Sequence, residues 1–213
     1  MKTSLCKIFL VVFLLSSLLF PAQHVEFDEL KIVDDMLCVS YHIVDFLDEK
    51  NIEALQRGIK SEVVHTMQLW QQKSFINPRE KQKEYRIKVF WDNWEKKYRL
   101  ETEDENRLTP HIETVKQKCA FIENFPLAKT SDLERGKKYH VSISVNFQLI
   151  SAESYNAISD IFAGEKKDQD TSAKKKSGFV SVLVNLLGFG DKEYAYKTKD
   201  FIITESGIIE FVP

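Results

Sequence analysis

Residues 139–149, YHVSISVNFQL, carry the clearest alternation of apolar and polar side chains in the chain. Every odd-numbered position from Tyr139 to Leu149 is apolar, and every even-numbered position is histidine, serine, asparagine or glutamine. Because successive side chains of a strand point to opposite faces of a sheet, the pattern predicts a β-strand with one buried face. A fold organised around a sheet is therefore expected.

Other segments with strand patterns lie on both sides of this one. On alternation, or on their content of β-branched and aromatic residues, strands are predicted at residues 36–44, 59–70, 85–91, 94–100 and 193–204. The turn pair Asp92-Asn93 joins the third and fourth of these into a β-hairpin. Residues 71–83 are polar, contain Asn77-Pro78 and predict a loop.

Two short helices are predicted between the strands. The first covers residues 48–57, with Asp48 or Asn51 as its cap, and it ends at Gly58, where a left-handed backbone is required. The second begins at Thr109-Pro110, because threonine caps a helix and proline suits its first position. Phe125-Pro126-Leu127 is expected to close this second helix.

The chain after residue 150 is more varied. Ser151 is expected to cap a third short helix that extends to about Phe162, and residues 164–178 are lysine-rich and predict a mobile charged loop. Residues 179–189 are apolar enough for a buried helix or strand. The whole pattern predicts a mainly β fold, an antiparallel sheet arranged as a β-sandwich with two to four peripheral helices, with α+β as the alternative. A single domain is expected over residues 24–204, followed by a C-terminal tail at 205–213.

The N-terminus predicts export. Lys2 and Lys7 precede residues 8–20, an uncharged run of thirteen residues. That run matches a signal-peptide core and is shorter than the roughly 20 residues of a membrane-spanning helix. We therefore expect a signal peptide over residues 1–22, cleaved near Ala22, with an uncleaved anchor as the alternative. Only the uncleaved form would attach the protein to a membrane.

The charge of the chain limits which partners are expected, and its cysteine content bears on the disulfides that an exported protein can form. The chain has 30 basic and 32 acidic residues, and its formal net charge is −2. Because phosphate binding requires a basic footprint, nucleic acid is not an expected partner. An oxidising compartment permits a disulfide between Cys38 and Cys119, and two separate buried thiols are the alternative.

The chain carries no motif of a known catalytic chemistry. Its seven glycines form neither GxGxxG nor GxxxxGK, and GxSxG, HExxH and CxxC do not occur. His42 and His140 lie on the polar faces of predicted strands, where they are either metal ligands or, as is more common, solvated side chains. We predict a protein that is not an enzyme and that has no cofactor and no metal.

Aromatic residues cluster around the predicted hairpin turn. Phe90 and Trp91 alternate in direction, so at least one of the two large rings is expected on the surface. Phe90, Trp94 and Tyr98 are the candidate interaction surface, because exposed aromatic residues are characteristic of protein recognition. The alternative is that Trp91 packs in the core and Phe90 against a helix.

Residues 46–71, FLDEKNIEALQRGIKSEVVHTMQLWQ, resemble the opening of DUF4390, a family of exported bacterial proteins. The family pattern "eAL.rGi" is matched here by Leu55, Arg57 and Gly58 and by the residues next to them. KKYRLE at 96–101 and FPLAKTSDLERGKKYHVSISVNFQL at 125–149 also fit, and the resemblance extends over residues 30–201. It implies an exported, periplasmic or envelope-associated bacterial protein and brings no catalytic residues.

The function expected from these observations is a non-enzymatic envelope module that binds another envelope protein, as an accessory to envelope signalling. Two alternatives remain open. The first is a carrier that holds an apolar small ligand in a cavity between the sheets. The second is a hydrolase whose site has no recognisable motif.

Overall fold

The computed structural model describes residues 24–75, 77–149 and 192–212. In chain order, its elements are β1 (His24–Val33), β2 (Met36–Val44), α1 (Glu49–Gln56), β3 (Ser61–Gln71), β4 (Arg79–Asp92), β5 (Lys97–Glu101), β6 (Asn106–Thr109), α2 (Ile112–Ala120), β7 (Phe121–Lys129), β8 (Lys138–Leu149), β9 (Lys192–Lys197), β10 (Phe201–Ile203) and β11 (Ile209–Phe211). The expected signal peptide, third helix and charged loop lie outside the described residues. Within those residues, no helix is long and apolar enough to span a membrane.

The strands form two antiparallel sheets, which confirms the predicted mainly β fold. In the small sheet, β2 lies between β1 and β7. The large sheet has the order β11-β10-β8-β3-β4-β5-β6, and β9 also pairs with β8. Side chains from both sheets share one buried core, so the sheets pack face to face as a sandwich.

The alternating segment at residues 139–149 lies at the centre of the large sheet. It forms most of β8, which pairs with β3 from Ser61 opposite Leu149 to Gln71 opposite Tyr139. The odd-numbered side chains from Tyr139 to Phe147 are all at most 4 % exposed. These side chains supply the middle of the core, as the period of two predicted.

The predicted loop at residues 71–83 is wrong in its second half, because β4 already begins at Arg79. In the pairing of β4 with β3, Lys81 lies opposite Leu69 and Lys83 opposite Met67, so both lysines are at core-facing positions. Strand β5 pairs only with residues 88–92 of β4, so this first part of β4 is an open edge. Lys83 Nζ donates to the Pro126 carbonyl at 2.7 Å. Inward-pointing lysines are a known protection of an open strand edge against pairing with another chain. Because they stand here at positions where apolar residues would mark a strand, the sequence shows no strand pattern.

Strands β1 and β7 were missed because both contain irregular pairing. The register of β1 against β2 shifts between Phe27 and Glu29, and that of β7 against β2 shifts twice. Each shift breaks the period of two that identifies a strand. Pro126 is tolerated in β7, rather than closing a helix, because β7 is an edge strand.

Helix α1 has the ends that the sequence predicts. Asp48 Oδ1 accepts a hydrogen bond from the Asn51 backbone N–H at 2.9 Å, and Gly58 follows the helix with φ +89°. Leu55 is completely buried and Arg57 is the C-terminal cap, so the resembling motif has structural roles here. Helix α2 differs from expectation: Thr109 is not its cap, and His111 occupies that position without a side-chain hydrogen bond.

Replacing Gly58 with alanine is expected to lower the free energy of unfolding by about 1–2 kcal/mol, because a side chain disfavours the left-handed backbone. The added Cβ would meet Asn93 Nδ2 at 3.6 Å, an ordinary contact, so crowding is not the cause. Urea denaturation of Gly58→Ala and Gly58→Asn measures the effect. Asparagine tolerates this backbone better and should lose less; an equal loss in both variants would refute the explanation.

Of the two alternatives for the cysteines, the structure has the separate thiols, because Cys38 and Cys119 are both free and buried. Cys119 belongs to the shared core between the sheets, where Tyr41 and Val39 also point. Cys38 alternates with those two residues on β2, so its side chain lies on the opposite face of the small sheet. The two thiols are therefore separated by the sheet itself.

The predicted C-terminal tail is also corrected. The expected last strand divides into β9 and β10, and β11 then pairs back on β10 with Phe201 opposite Phe211. Gly207, at φ +80°, lies in the turn that joins them. Residues 209–211 thus belong to the large sheet.

Candidate interaction surface

The β4–β5 hairpin presents an exposed tryptophan on a firmly held turn. Asp92 Oδ1 accepts the backbone N–H groups of Trp94 at 2.9 Å and Glu95 at 3.0 Å, and Arg99 Nη2 donates to Asp92 Oδ2 at 2.9 Å. The Glu95 amide first, and then Arg99, lower the pKa of Asp92. The Trp94 side chain is 93 % exposed above this network. We call residues 92–97 the hairpin tip.

The other two members of the predicted aromatic surface lie deeper. Tyr98 is only 2 % exposed, packs edge-on against Trp91 at 4.8 Å and accepts a hydrogen bond from Gln56, so its place in an exposed surface is a wrong prediction. Phe90 is half-buried, with Lys60 Nζ 5.0 Å from its ring centre. Trp94 therefore remains as the exposed aromatic residue of the three.

A second surface feature is a groove that no sequence pattern predicted. It has a volume of about 810 Å³ and lies between the end of β2, the segment 45–48, the start of α1 and helix α2. Phe46, Leu47 and Ala120 contribute apolar atoms to its lining. Phe121 is 49 % exposed and stacks on the His42 ring, with 5.2 Å between centres and 8° between planes. We call this the α2 groove.

A smaller groove of about 440 Å³ lies on the other side of α2. It shares Gln117 and Phe121 with the α2 groove, and its charged lining residues are Arg107, Lys118 and Glu123. Lys118 Nζ pairs with Glu105 at 2.9 Å, which lowers the pKa of Glu105. The half-exposed Phe121 side chain thus lines both grooves.

Polar groups from the two sheets are in contact inside the core. The sequence pattern at these positions indicates only strands and not this contact. Tyr41 Oη lies 2.9 Å from His65 Nδ1 and donates to Met67 Sδ at 3.2 Å. His65 is completely buried, and burial lowers its pKa to about 4, against a smaller opposing effect of the Cys119 backbone. Because Tyr41 lies on β2 and both of its partners lie on β3, these buried contacts connect the two sheets.

The two histidines considered as metal ligands are not brought together. His42 lies on the small sheet, where its Nδ1 is 2.9 Å from Asp28 Oδ1. His140 lies on the large sheet, stacked on Trp70 at 6.5 Å and 3.7 Å from Asp200. In the part of the chain that the structure describes, no group of three or more histidine, cysteine or acidic side chains is arranged to hold a metal ion.

Comparison with protein families finds a match over more than half of the chain. A family model described as a domain of unknown function, DUF4390, matches residues 22–150. Neither the curated proteins nor the solved structures contain a match to the chain. The matched region includes the hairpin tip and both grooves and ends before β9.

Proposed function

The chain belongs to the DUF4390 family, and we propose that it is a non-enzymatic, exported module of the bacterial envelope that binds another protein through its hairpin tip. The observation that carries this proposal is Trp94, 93 % exposed on a turn fixed by Asp92. Tryptophan is enriched among the residues that dominate binding energy at protein interfaces. We favour a partner that takes part in envelope signalling, with this protein as its accessory.

The stiffness of the turn supports this proposal independently of the exposure. Association costs free energy when loops and side chains become ordered, and a preorganised anchor avoids part of that cost. The backbone N–H groups on both sides of the Trp94 carbonyl are already bound to one carboxylate. An exposed indole on a fixed backbone turn is therefore better suited to binding than to stabilising the free protein.

The carrier alternative receives less support. A ligand site typically encloses 70–90 % of the ligand surface. The α2 groove has a volume in the usual range for such sites, but it lies at the surface and charged side chains line it. Between the sheets, where the carrier alternative places an apolar ligand, the large side chains of Tyr41, Met67 and Leu69 are completely buried.

Replacing Trp94 with alanine is expected to remove a co-purifying polypeptide while leaving the free energy of unfolding within about 0.5 kcal/mol of the parent protein. Native mass spectrometry of protein purified gently from its host's envelope measures the first effect, and urea denaturation measures the second. Phe75→Ala is the matched control, because Phe75 is 100 % exposed at the opposite end of β4, roughly 45 Å away.

The outcomes separate the proposals. Loss of the polypeptide in Trp94→Ala but not in Phe75→Ala supports binding through the hairpin tip. Retention in both variants rejects the hairpin tip as the binding surface. A small-molecule adduct in place of a polypeptide would instead favour the carrier.

A further inference from the structure

We propose that the free edge of β11 binds an extended segment of a partner protein, one that alternates apolar with basic side chains, as a further strand of the large sheet. Strands β10, β8 and β3 separate β11 from the β4–β5 hairpin in that sheet. The inference therefore goes beyond the proposed function. It depends on the backbone of β11, on the apolar side chains beside it and on Glu210.

The backbone of β11 has hydrogen-bonding groups that face away from its own sheet. Among the described strands, β11 is the last one on its side, with β10 as its neighbour. The Val212 N–H donates to the Asp200 carbonyl at 2.8 Å, so Val212 faces β10. Because bonding alternates along an antiparallel strand, Glu210 also faces β10, whereas the N–H and C=O groups of Ile209 and Phe211 point outward. An extended segment of another chain can bond to these outward groups.

Strand β11 lacks the protection that β1, β4 and β7 carry at their open edges. Lysines stand at core-facing positions of β4, Pro126 lies in β7, and a register shift interrupts β1. Such features hinder pairing with another chain. Residues 208–212, IIEFV, contain neither lysine nor proline, and the pairing of β11 with β10 is continuous. This edge is therefore suited to accept a strand.

Partly exposed apolar side chains lie beside the edge. Ile208 is 59 % exposed and Phe211 is 47 % exposed. The Phe211 ring meets Phe27 of β1 edge-on, with 6.1 Å between centres, and Phe27 stacks on Tyr196 of β9 at 6.0 Å. A strand added next to β11 places alternate side chains beside Phe211. Apolar residues are expected at those positions, because aromatic and β-branched side chains stabilise a cross-strand pair.

Glu210 determines the charge of the expected segment. Its side chain is exposed and points to the opposite face from Ile209 and Phe211. Its carboxylate has no hydrogen bond or ion pair within the part of the chain that the structure describes. A lysine or arginine on the added strand, opposite Glu210, therefore forms a favourable cross-strand pair, and an acidic residue there is repelled.

The same carboxylate argues against a second copy of this chain as the occupant. If two β11 edges paired antiparallel and used all of their outward groups, Ile209 of each copy would lie opposite Phe211 of the other. The two Glu210 side chains would then lie directly opposite each other. Because like charges in that position destabilise a strand pair, a basic segment of another protein fits the edge better.

The test uses the full-length chain and two labelled peptides of about seven residues, the length of an ordinary strand. The first peptide alternates valine with lysine, and the second alternates valine with glutamate. Fluorescence anisotropy is expected to give a dissociation constant about fivefold lower for the lysine peptide. Added salt should reduce this difference.

Three variants localise the binding. Glu210→Lys should reverse the order of the two peptides, whereas Glu205→Lys, the same change of charge in the neighbouring exposed turn, should keep the order of the parent. Ile209→Pro removes an N–H that β10 does not use and should weaken the lysine peptide about tenfold. Urea denaturation shows whether Ile209→Pro is folded, and the charge reversal decides the question if it is not.

Amide hydrogen exchange measures the backbone directly. In the free protein, the amides of Ile209 and Phe211 are expected to exchange faster than those of Glu210 and Val212, because the first pair faces away from β10. Saturation with the lysine peptide should slow the first pair to the rate of the second. Trp94→Ala should bind this peptide as the parent does, so the hairpin-tip proposal and this one fail separately.

Four results would overturn the inference. Slow exchange of Ile209 and Phe211 in the free protein would show that the edge is already covered. Equal affinity for both peptides, or a preference that Glu210→Lys leaves unchanged, would remove the argument from charge. Undiminished binding by folded Ile209→Pro would place the peptide elsewhere. Self-association of the parent that Ile209→Pro abolishes would assign the edge to a second copy of this chain.

Discussion

Acidification from pH 6.5 to pH 4 is expected to cost the folded protein about 3 kcal/mol of unfolding free energy through His65 alone. Burial lowers the pKa of His65 from 6.5 to about 4, so the folded protein keeps this ring neutral over that interval. The unfolded chain takes up a proton at the same pH. The stabilising contribution is therefore complete above pH 6.5 and is lost as the pH falls through the interval.

Urea denaturation at a series of pH values measures this loss in the parent protein and in His65→Leu. Leucine has no proton to bind, so the variant should show a shallower fall in stability between pH 6.5 and pH 4. The pH dependence that remains in His65→Leu comes from other groups. Burial also lowers the pKa of His140. Burial alone raises the pKa of Asp48, but the hydrogen bonds from Lys192 and Asn51 outweigh it and lower that pKa. His111→Gln, at an exposed position, is the control. Parallel curves for the parent and His65→Leu would show that His65 does not control the acid response.

Replacing Tyr41 with phenylalanine is expected to destabilise the fold by about 1–3 kcal/mol, because it leaves buried His65 Nδ1 without its partner. The aromatic volume is retained, so cavity formation does not confuse the result. Thermal unfolding of Tyr41→Phe and of the double variant Tyr41→Phe/His65→Leu measures the coupling between the two groups. Additive losses would mean that the 2.9 Å contact contributes nothing.

The sequence predicted those elements whose patterns are set locally. Strand β8 shows its alternation because one of its faces is buried along the pairing with β3, and α1 shows both of its ends in Asp48 and Gly58. Strands β1 and β7 were hidden by register shifts, and the first half of β4 by lysines at core-facing positions. A local sequence pattern does not identify a strand when the pairing with a neighbouring strand, and not the strand's own sequence, determines which face is buried.

The candidate surfaces divide in the same way. Trp94 was predictable because a hairpin turn is a local feature and a large ring at its tip has little to pack against. Tyr98 was not, because its burial depends on Gln56 and Trp91, which belong to other elements. The α2 groove combines residues 42–52 with residues 113–121, and only the packing of α2 against β2 brings these segments together.

Replacing Phe201 with alanine is expected to lower the free energy of unfolding by about 3–5 kcal/mol, although Phe201 lies beyond the region that the family model matches. Its side chain is completely buried, with Tyr139 at 6.1 Å and Phe211 at 6.3 Å between ring centres. Strand β10 pairs with β8 at Tyr139, so this ring covers the end of the core that begins at Tyr139.

Phe211→Ala is the matched control, because it removes the same atoms from the neighbouring strand at a position that is 47 % exposed. Its loss should be well under half that of Phe201→Ala in urea denaturation, since partial exposure means that less apolar area returns to water. Similar losses in the two variants would mean that β11, and not the single ring at 201, closes the core. A negligible loss in both would mean that the core formed by residues 24–149 is complete without β10. The matched region would then be the whole folding unit, whereas a large loss at Phe201 requires that unit to extend through β10.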